Sequence, residues 1–366
     1  MLLPNTITDL ADMIQNASGP LHIRGGGTRD IGRPMDGTTL SSADLNGITL
    51  YEPGALTLVA QSGTPVADIE AALDQENQRL AFEPMDHRVL LGTTGTPTIG
   101  GVVAANVSGP RRIAVGACRD FALGVTFVDG AGRILKNGGR VMKNVTGYDL
   151  VKLMAGSWGT LGMLCDVSLK VLPKPETSAT LVLGGLDVAQ AVAAMSRALG
   201  SPYEVTGCAH DTQAAQTCVR IEGFEQSVTY RASELTKLLA PFGDVEIQDV
   251  DWTTIRDVSV FADQPGDVWR ISAKPSDAPD LISRMGATQT LLDWGGGLIW
   301  ALAPQGGDLR AKLGAFDGHA TLIRADVETR HSVAGFAPEP APLRALTQGL
   351  RAQFDPRGIL NPGLMD

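Results

Sequence analysis

Apolar residues along the first half of the chain recur with two spacings, one typical of short amphipathic helices and one typical of strands. The spacing of Leu10, Met13 and Ile14 predicts a helix over residues 8–17, and a second helix is predicted over residues 66–76, after Thr64-Pro65. Apolar runs predict strands at 21–24, 55–61, 121–127, 133–136 and 167–172. This mixture of elements predicts an α+β fold.

The pattern changes after the proline-rich linker at residues 172–176. Beyond it, strand-like runs at 180–183, 217–221, 268–273 and 321–323 alternate with helical runs at 187–199, 227–239, 278–285 and 309–313, and two further strands are predicted on either side of Gly295-Gly-Gly297. These strands and helices fall into two successive β-α-β-like halves, which together predict one open sheet with helices on one face. A second proline-rich boundary at 338–342 precedes an amphipathic helix at 343–354. We therefore expect a first domain at residues 1–175, completed by 340–366, and a cap inserted at 176–339.

Glycine clusters are the strongest local feature of the first domain. Arg24-Gly-Gly-Gly-Thr28 follows a predicted strand directly, and Gly100 and Gly101 follow the helix start at Thr96-Pro-Thr98. A third cluster spans Gly156–Gly162. Backbone N–H groups of such loops can bind anions, and small residues let an extended ligand lie against the backbone. The clusters match neither the Rossmann fingerprint nor the P-loop, so they predict a phosphate-containing ligand held in another way.

Taken as a set, these motifs carry a family resemblance. Arg24-Gly-Gly-Gly-Thr28, Thr98-Ile-Gly-Gly101 and Gly156-Ser-Trp-Gly-Thr-Leu-Gly162 resemble the vanillyl-alcohol-oxidase-type flavoproteins, which have the PCMH-type FAD-binding fold. The segments Val141–Asp149 and Phe354–Gly363 are similar to the smaller, E-type FAD-binding subunits of glycolate oxidases. The resemblance implies a PCMH-type two-subdomain FAD-binding fold with an inserted α+β cap domain.

The resemblance also implies which residues contact FAD. It places the pyrophosphate on the first glycine loop, the ribityl and flavin side along the second, and the adenine end at the third. The implied residues are Arg24, Gly25, Gly26, Gly27 and Thr28, then Thr94, Thr98, Gly100 and Gly101, then Gly159, Thr160 and Gly162. Some relatives attach FAD through a histidine after the first loop. Here Thr28 and Arg29 stand there, so FAD is expected to be non-covalent. Cys118 is a second conceivable attachment point, but a buried structural cysteine is the better interpretation.

Candidate catalytic residues are sparse. Larger relatives that oxidise 2-hydroxy acids carry a cap motif of the form His-x-Gly-Asp-Gly-Asn-x-His, whereas this chain has only Gly318-His-Ala-Thr-Leu-Ile-Arg324 at a similar place. No metal site is therefore expected. His319 is either a base or orienting group at the flavin or a hydrogen-bonded strand residue. Arg324 either binds a substrate carboxylate or forms a surface salt bridge. In the third glycine cluster, Trp158 replaces the glutamate usual in those relatives.

Charge and cysteine content narrow the remaining choices. A net charge of −10 argues against nucleic-acid binding, and four cysteines without Cys-x-x-Cys spacing predict no iron–sulfur cluster in this chain. No apolar run is long enough to span a membrane and no signal sequence is apparent, so a cytoplasmic protein is expected, peripheral to the inner membrane only through partners. The resemblance implies an FAD-binding subunit of a glycolate oxidase complex, which oxidises glycolate to glyoxylate with a larger flavin subunit and an iron–sulfur subunit as partners. A stand-alone hydroxy-acid dehydrogenase and a non-catalytic scaffold are the alternatives.

Overall fold

The computed structural model describes residues 1–140 and 147–366. Residues 141–146, which carry part of the family resemblance, lie outside the described residues. Up to residue 173 the chain forms seven helices and nine strands within the described part. They are α1 Ile7–Gln15, β1 Leu21–Arg24, β2 Thr38–Ser41, β3 Ile48–Glu52, β4 Thr57–Gln61, α2 Val66–Asp74, β5 Gln78–Arg79, α3 Arg88–Leu91, α4 Ile99–Ala104, α5 Arg112–Val115, α6 Cys118–Phe121, β6 Ala122–Val128, β7 Ile134–Gly138, α7 Leu150–Met154, β8 Met163–Lys170 and β9 Leu172–Pro173.

Two sheets organise this first part. Strands β1 and β2 pair in parallel, while β3, β4, β8, β6 and β7 form an antiparallel five-stranded sheet in that order. Alternate residues of β8, Val167 and Leu169, are fully buried, and Phe127 of β6 is fully buried beside them. This alternation buries one face of the sheet in the core. The strands β6 and β7, at the runs predicted over 121–127 and 133–136, pair as a hairpin.

The rest of the chain supplies the cap and the C-terminal return. Its elements are β10 Thr177–Gly184, α8 Val188–Leu199, β11 Val205–Asp211, β12 Gln216–Gly223, α9 Glu225–Leu239, β13 Val245–Gln248, α10 Trp252–Arg256, β14 Asp267–Ser272, α11 Ala278–Met285, β15 Gln289–Asp293, β16 Leu298–Ala303, α12 Leu309–Leu313, β17 His319–Arg324, α13 Val327–Ser332 and α14 Ala341–Phe354. Eight of these strands form one sheet, in the order β13-β10-β12-β11-β15-β16-β14-β17. The predicted single open sheet is confirmed, although the sequence did not predict β11 and β13.

The two faces of the cap sheet are buried against different partners. Trp269 and Ile271 of β14 pack among the helices α8, α9, α11 and α12, as the one-sided helix layer predicts. Val268 of the same strand, with Trp300 and Leu302 of β16, packs instead into the core of the N-terminal part. Because successive strand residues point to opposite faces, one face carries the helices and the other faces the glycine-rich part. The interface between them is where a site can form.

A buried ion-pair cluster fixes this interface. Glu222 on β12 of the cap sheet lies 2.9 Å from Arg79 and 2.8 Å from Arg111, both on the N-terminal part. In the opposite sense, Glu83 of the N-terminal part lies 3.0 Å from Arg220 of the cap. The side chains of Arg220, Glu222 and Glu83 are less than a tenth exposed. The cap is therefore tied to the glycine-rich part by charges that water does not screen.

The C-terminal segment returns the chain to its beginning. The α14 helix is solvent-exposed along its length, but Phe354 at its end packs against Phe127 with 6.0 Å between ring centroids. Further on, the Leu21 amide donates to the Ile359 carbonyl at 2.7 Å. The chain end thus lies beside β1 and the first glycine loop. No helix in the described parts of the chain is long and apolar enough to cross a membrane.

Candidate functional site

The first and second glycine clusters cross each other in contact. A Cβ placed on Gly26 would lie 1.5 Å from the Thr96 carbonyl oxygen, and one on Gly95 would lie 1.8 Å from the Gly26 carbonyl oxygen. These distances leave no room for a side chain at the crossing. Gly26 and Gly95 are therefore required by the approach of two backbones, whatever ligand lies nearby.

A pocket opens beside this crossing and gathers most of the residues implied by the family resemblance. The implied residues that line it are Arg24, Gly25, Gly26, Gly27, Thr28, Thr98, Gly100, Gly101, Gly159 and Gly162. Two others do not line it. Thr94 lies elsewhere, and Thr160 faces a neighbouring cleft and donates its hydroxyl to the Ser157 carbonyl at 2.7 Å. The individual FAD contacts of all these residues stay predictions.

Two polar atoms in the pocket wall fit a polar ligand. Arg29 Nη2 and Ser62 Oγ are buried and have no hydrogen-bond partner among the described residues. Leaving a buried polar atom unpaired costs about 1–3 kcal/mol, so both atoms favour a ligand that supplies acceptors. The adjoining Gly101 offers a surface for it, because a Cβ there would meet only side-chain atoms, Arg29 Nη1 at 3.1 Å and Thr98 Oγ1 at 3.3 Å. The phosphates and ribityl hydroxyls of FAD match this wall.

Arg29 is held in place by a histidine. Its Nε donates to His87 Nδ1 at 3.2 Å. Burial lowers the pKa of Arg29 to about 10, which leaves it charged at neutral pH. Burial, together with the charge of Arg29, holds the pKa of His87 well below its usual value, so His87 is a neutral acceptor. This pair is not recognisable from the sequence, because its members lie 58 residues apart.

Replacing Arg29 by methionine should weaken FAD binding about ten- to hundred-fold, the loss expected for one or two charge-assisted hydrogen bonds. The dissociation constant of FAD can be measured by fluorescence titration of the apoprotein. Arg33→Met is the matched control, because Arg33 is exposed and lies outside the pocket. Equal FAD affinity in wild type and Arg29→Met would exclude a direct contact.

The third glycine cluster is anchored by Asn361. Its Oδ1 accepts from the Ile23 amide at 2.8 Å, and its Nδ2 donates to the Trp158 carbonyl at 2.8 Å. Trp158 and Gly159 both adopt left-handed backbone, with φ of 53° and 73°. The Trp158 ring meets the edge of Phe336 at 5.3 Å between centroids. The C-terminal segment therefore holds this loop beside β1, with Trp158 at the border of the pocket.

A second, larger cavity of about 1130 Å³ lies between the glycine-rich part and the cap sheet. It shares Ile31, Ala105 and Trp158 with the pocket, so the two adjoin each other. The three shared residues form a common wall between the pocket and the cleft. Such an interface between two layers is a common position for an active site.

His319 opens into this cleft from the cap sheet. Partial burial and the charges of Arg270 and Arg112 lower its pKa, so the imidazole is neutral at pH 7 and can accept a proton. On the same sheet face, Ser272 is the register partner of His319, and Arg270 is the partner of both Trp300 and Thr321. Arg270 is therefore a diagonal neighbour of His319.

Arg324, predicted from the sequence to bind a carboxylate, is not part of this cleft. Its guanidinium donates to the backbone carbonyls of Leu90 at 3.1 Å, Phe261 at 2.8 Å and Gln264 at 2.7 Å. It also stands five residues from His319 on one strand, about 16 Å along it, too far for one small acid to reach both. These hydrogen bonds join the cap to α3, whereas Arg270 of the neighbouring strand lines the cleft.

The other candidate positions lie away from the cleft. Cys118 is fully buried in the core, where burial raises the pKa of its thiol to about 12 and keeps it protonated. The four cysteines are all free and buried. Within residues 1–140 and 147–366, no group of three histidine, cysteine, aspartate or glutamate side chains is arranged to hold a metal ion.

Comparison with known proteins agrees with this arrangement. A family model described as an FAD binding domain matches residues 1–138. Glycolate oxidase subunit GlcE of Escherichia coli K12 is 38% identical over 349 residues, which is 94% of this chain and 92% of that subunit. Glycolate oxidase subunit GlcD of Bacillus subtilis is 33% identical, but over only 44% of this chain and 34% of its own length.

Solved structures with little sequence identity share the fold. An alkyldihydroxyacetonephosphate synthase structure aligns over 98% of this chain and 76% of its own, with a TM-score of 0.69 and 15% identity. A 4-ethylphenol oxidase from Gulosibacter chungangensis, in complex with isoeugenol, aligns over 99% and 88%, with a TM-score of 0.72 and 13% identity.

The fold and pocket define a PCMH-type FAD-binding flavoprotein of the oxidoreductase class, with FAD as its cofactor. Within that class, the chain belongs to the family of the glycolate oxidase subunit GlcE, which it matches almost end to end. The family resemblance found in the sequence is thereby confirmed.

Proposed function

We propose that this chain is the FAD-carrying subunit of a glycolate-oxidase-type complex, which oxidises glycolate to glyoxylate. The observation that carries the proposal is the position of the glycine-lined pocket directly beside a cleft into which a neutral histidine opens. The near-complete match to a glycolate oxidase subunit supports the substrate. Matches to a D-lactate dehydrogenase and a D-2-hydroxyglutarate dehydrogenase, over half of the chain or less, favour small 2-hydroxy acids in general.

The protein groups supply proton transfer and positioning. FAD, when bound, accepts the hydride from the α-carbon. His319 is the candidate base for the proton of the adjacent hydroxyl, so that loss of this proton and the hydride converts the alcohol carbon to a carbonyl. The cleft also offers local positive charge on an acidic protein. Its charged lining comprises Arg112, Arg119, Arg270, Arg344 and Arg351 against Glu339 and Asp366.

Turnover should depend on partners. The cap strand at residues 319–324 lacks the second histidine and the acidic centre of the larger relatives' motif, and the cysteine spacing offers no onward path for electrons. We therefore infer that a larger flavin subunit and an iron–sulfur subunit complete the enzyme, which would be cytoplasmic and attached to the inner membrane only through them. A stand-alone dehydrogenase and a non-catalytic scaffold are the competing functions.

Anaerobic bleaching of the flavin absorbance by excess glycolate tests the proposal. The isolated FAD-loaded chain should bleach negligibly, and the co-expressed complex should bleach rapidly. In that complex, His319→Ala should slow the bleaching about 10²- to 10⁴-fold, the usual contribution of a general base. Rapid bleaching of the isolated chain would favour the stand-alone dehydrogenase. A purified chain without flavin absorbance would favour the scaffold.

FAD should be released by acid precipitation. No histidine follows the first glycine loop, and Cys118 is buried and protonated. After precipitation with trichloroacetic acid, the yellow chromophore should appear in the supernatant and run as FAD on chromatography. Flavin that stays with the washed pellet would reveal a covalent link.

A further inference from the structure

Two arginines from different parts of the fold meet around one tryptophan at the cleft. The guanidinium carbon of Arg112 lies 4.5 Å from the centroid of the Trp294 ring, and that of Arg270 lies 5.1 Å from it. Arg270 also lies 5.9 Å from the Trp300 ring. Trp294 is fixed by two hydrogen bonds, from its Nε1 to the Gly109 carbonyl at 3.1 Å and from its amide to Asp293 Oδ1 at 2.7 Å. The aromatic rings therefore orient both guanidinium groups through cation–π contacts.

Neither guanidinium group has an acidic or carbonyl partner. In the described parts of the chain, no hydrogen bond or ion pair is formed by the side chain of Arg112 or Arg270, whereas the interface arginines Arg111 and Arg220 are fully paired with carboxylates. Burial, with the charge of Arg112, lowers the pKa of Arg270 to about 10, which still leaves it charged at neutral pH. Both side chains are partly buried and line the cleft, so two positive charges without a carboxylate partner face it. This arrangement favours the binding of an anion there.

The carboxyl group of Asp293 does not fully neutralise these two charges. Burial raises the pKa of Asp293 to about 7, so its charge is only partly present at neutral pH. Its Oδ1 is used by the Trp294 amide. Asp293 thus orients the tryptophan, and the faces of both guanidinium groups that look into the cleft stay open to a ligand.

We propose that Arg270 and Arg112 form a binding site for the carboxylate of the substrate acid. This inference rests on the proposed function. The ligand class is small acids whose carboxylate is adjacent to a hydroxyl or keto carbon. Two planar guanidinium groups can hold one carboxylate through its two oxygens. Both charges also act on His319, so a carboxylate at this site brings the neighbouring hydroxyl carbon towards that imidazole.

Oxalate is the probe that tests binding apart from turnover. It carries carboxylates but no hydrogen on carbon, so it cannot lose a hydride. Titration of the FAD-loaded chain should change the tryptophan fluorescence, because Trp294 lies against both arginines. Arg270→Met should weaken oxalate binding about 30-fold or more, and Arg112→Met about ten-fold, as for loss of charge-assisted pairs.

Controls separate this site from the general charge of the cleft. Arg119→Met removes an exposed arginine from the same cleft and should change oxalate binding by less than about three-fold. Arg270→Lys keeps the positive charge but not the two parallel donors of the guanidinium group. Its oxalate affinity should lie between those of the wild type and Arg270→Met. If Arg270→Met melts at a lower temperature than the wild type, its loss of oxalate binding could reflect lost stability. The oxalate affinity of Arg112→Met then tests the proposal. An unchanged dissociation constant in Arg112→Met, equal loss in all three methionine variants, or no response of the wild type would overturn the proposal.

The proposed function can fail separately from this site. If oxalate binds through the arginine pair but glycolate never bleaches the flavin of the assembled complex, the carboxylate site stands and the oxidation of glycolate does not. If glycolate bleaches the complexes carrying wild-type chain, Arg270→Met and Arg112→Met at equal rates and half-saturating concentrations, the oxidation stands and the carboxylate site does not.

Discussion

The Gly101→Val variant should purify as a folded protein that has lost most of its FAD. A Cβ at Gly101 projects beside Arg29 and Thr98 and touches only side-chain atoms, so the fold can accommodate it. The rest of the valine enters the pocket, where the cofactor is expected against the backbone of α4. Overlap of this kind costs about 1–3 kcal/mol, which corresponds to a ten- to hundred-fold weaker dissociation constant.

Flavin stoichiometry from the absorbance ratio, measured beside a thermal melt, checks this result. Gly349→Val is the matched control, because Gly349 is also a helical glycine but has open space around its Cβ position. It should keep both flavin and stability. Gly26→Val should behave differently from Gly101→Val and lose the fold itself, because its Cβ would overlap the Thr96 carbonyl. If Gly101→Val keeps wild-type flavin content, the cofactor does not lie against α4.

The glycine clusters are visible in the sequence because left-handed backbone and close backbone contact both require glycine itself. A glycine at φ of 74° such as Gly27, or at a backbone crossing such as Gly26, is visible as a glycine in an unusual run. The sequence did not separate the two causes. Gly26 serves a contact between loops about 70 residues apart, and only the positions of both loops distinguish this contact from an approach to the ligand.

Residues whose roles depend on distant pairing were missed. Asn361 lies 338 residues from its partner Ile23. Arg29 entered the sequence analysis only because it stands where some relatives have an FAD-linked histidine, and its partner His87 was not identified. Dependence on distant pairing also explains why the sequence pointed to Arg324, and not to Arg270, as a candidate carboxylate-binding residue. Sequence proximity to His319 favoured Arg324, whereas strand register places Arg270 diagonally across β14 and β17 from that histidine. Antiparallel register is not readable from a single sequence.

The Glu222→Ala variant should lose about 3–5 kcal/mol of unfolding free energy, because its removal leaves buried cations without a partner. The Glu222 side chain is 4% exposed and bridges Arg79 and Arg111 across the interface between the cap and the glycine-rich part. Urea unfolding followed by circular dichroism measures the loss. The control Glu234→Ala breaks a surface pair with Lys237, whose side chain is 69% exposed, and should cost less than about 1 kcal/mol. Equal losses in both variants would show that the buried cluster does not stabilise the interface.

Lowering the pH should destabilise the protein by protonating the Glu222 carboxylate. Burial alone would raise the pKa of Glu222, but the hydrogen bonds and charge of Arg111, with the charges of Arg220 and Arg79, lower it from 4.5 to about 2. A carboxyl group with a lowered folded-state pKa stabilises the fold fully above its unfolded-state pKa, and this stabilisation is lost as the pH falls through the folded-state value. The unfolding free energy of the wild type should therefore decline between pH 4.5 and about 2. Glu222→Gln lacks the negative charge, so it should be less stable than the wild type at pH 7. Because its amide does not titrate, its unfolding free energy should decline less steeply in that pH window. Parallel curves for the two proteins would place the acid sensitivity in other carboxylates.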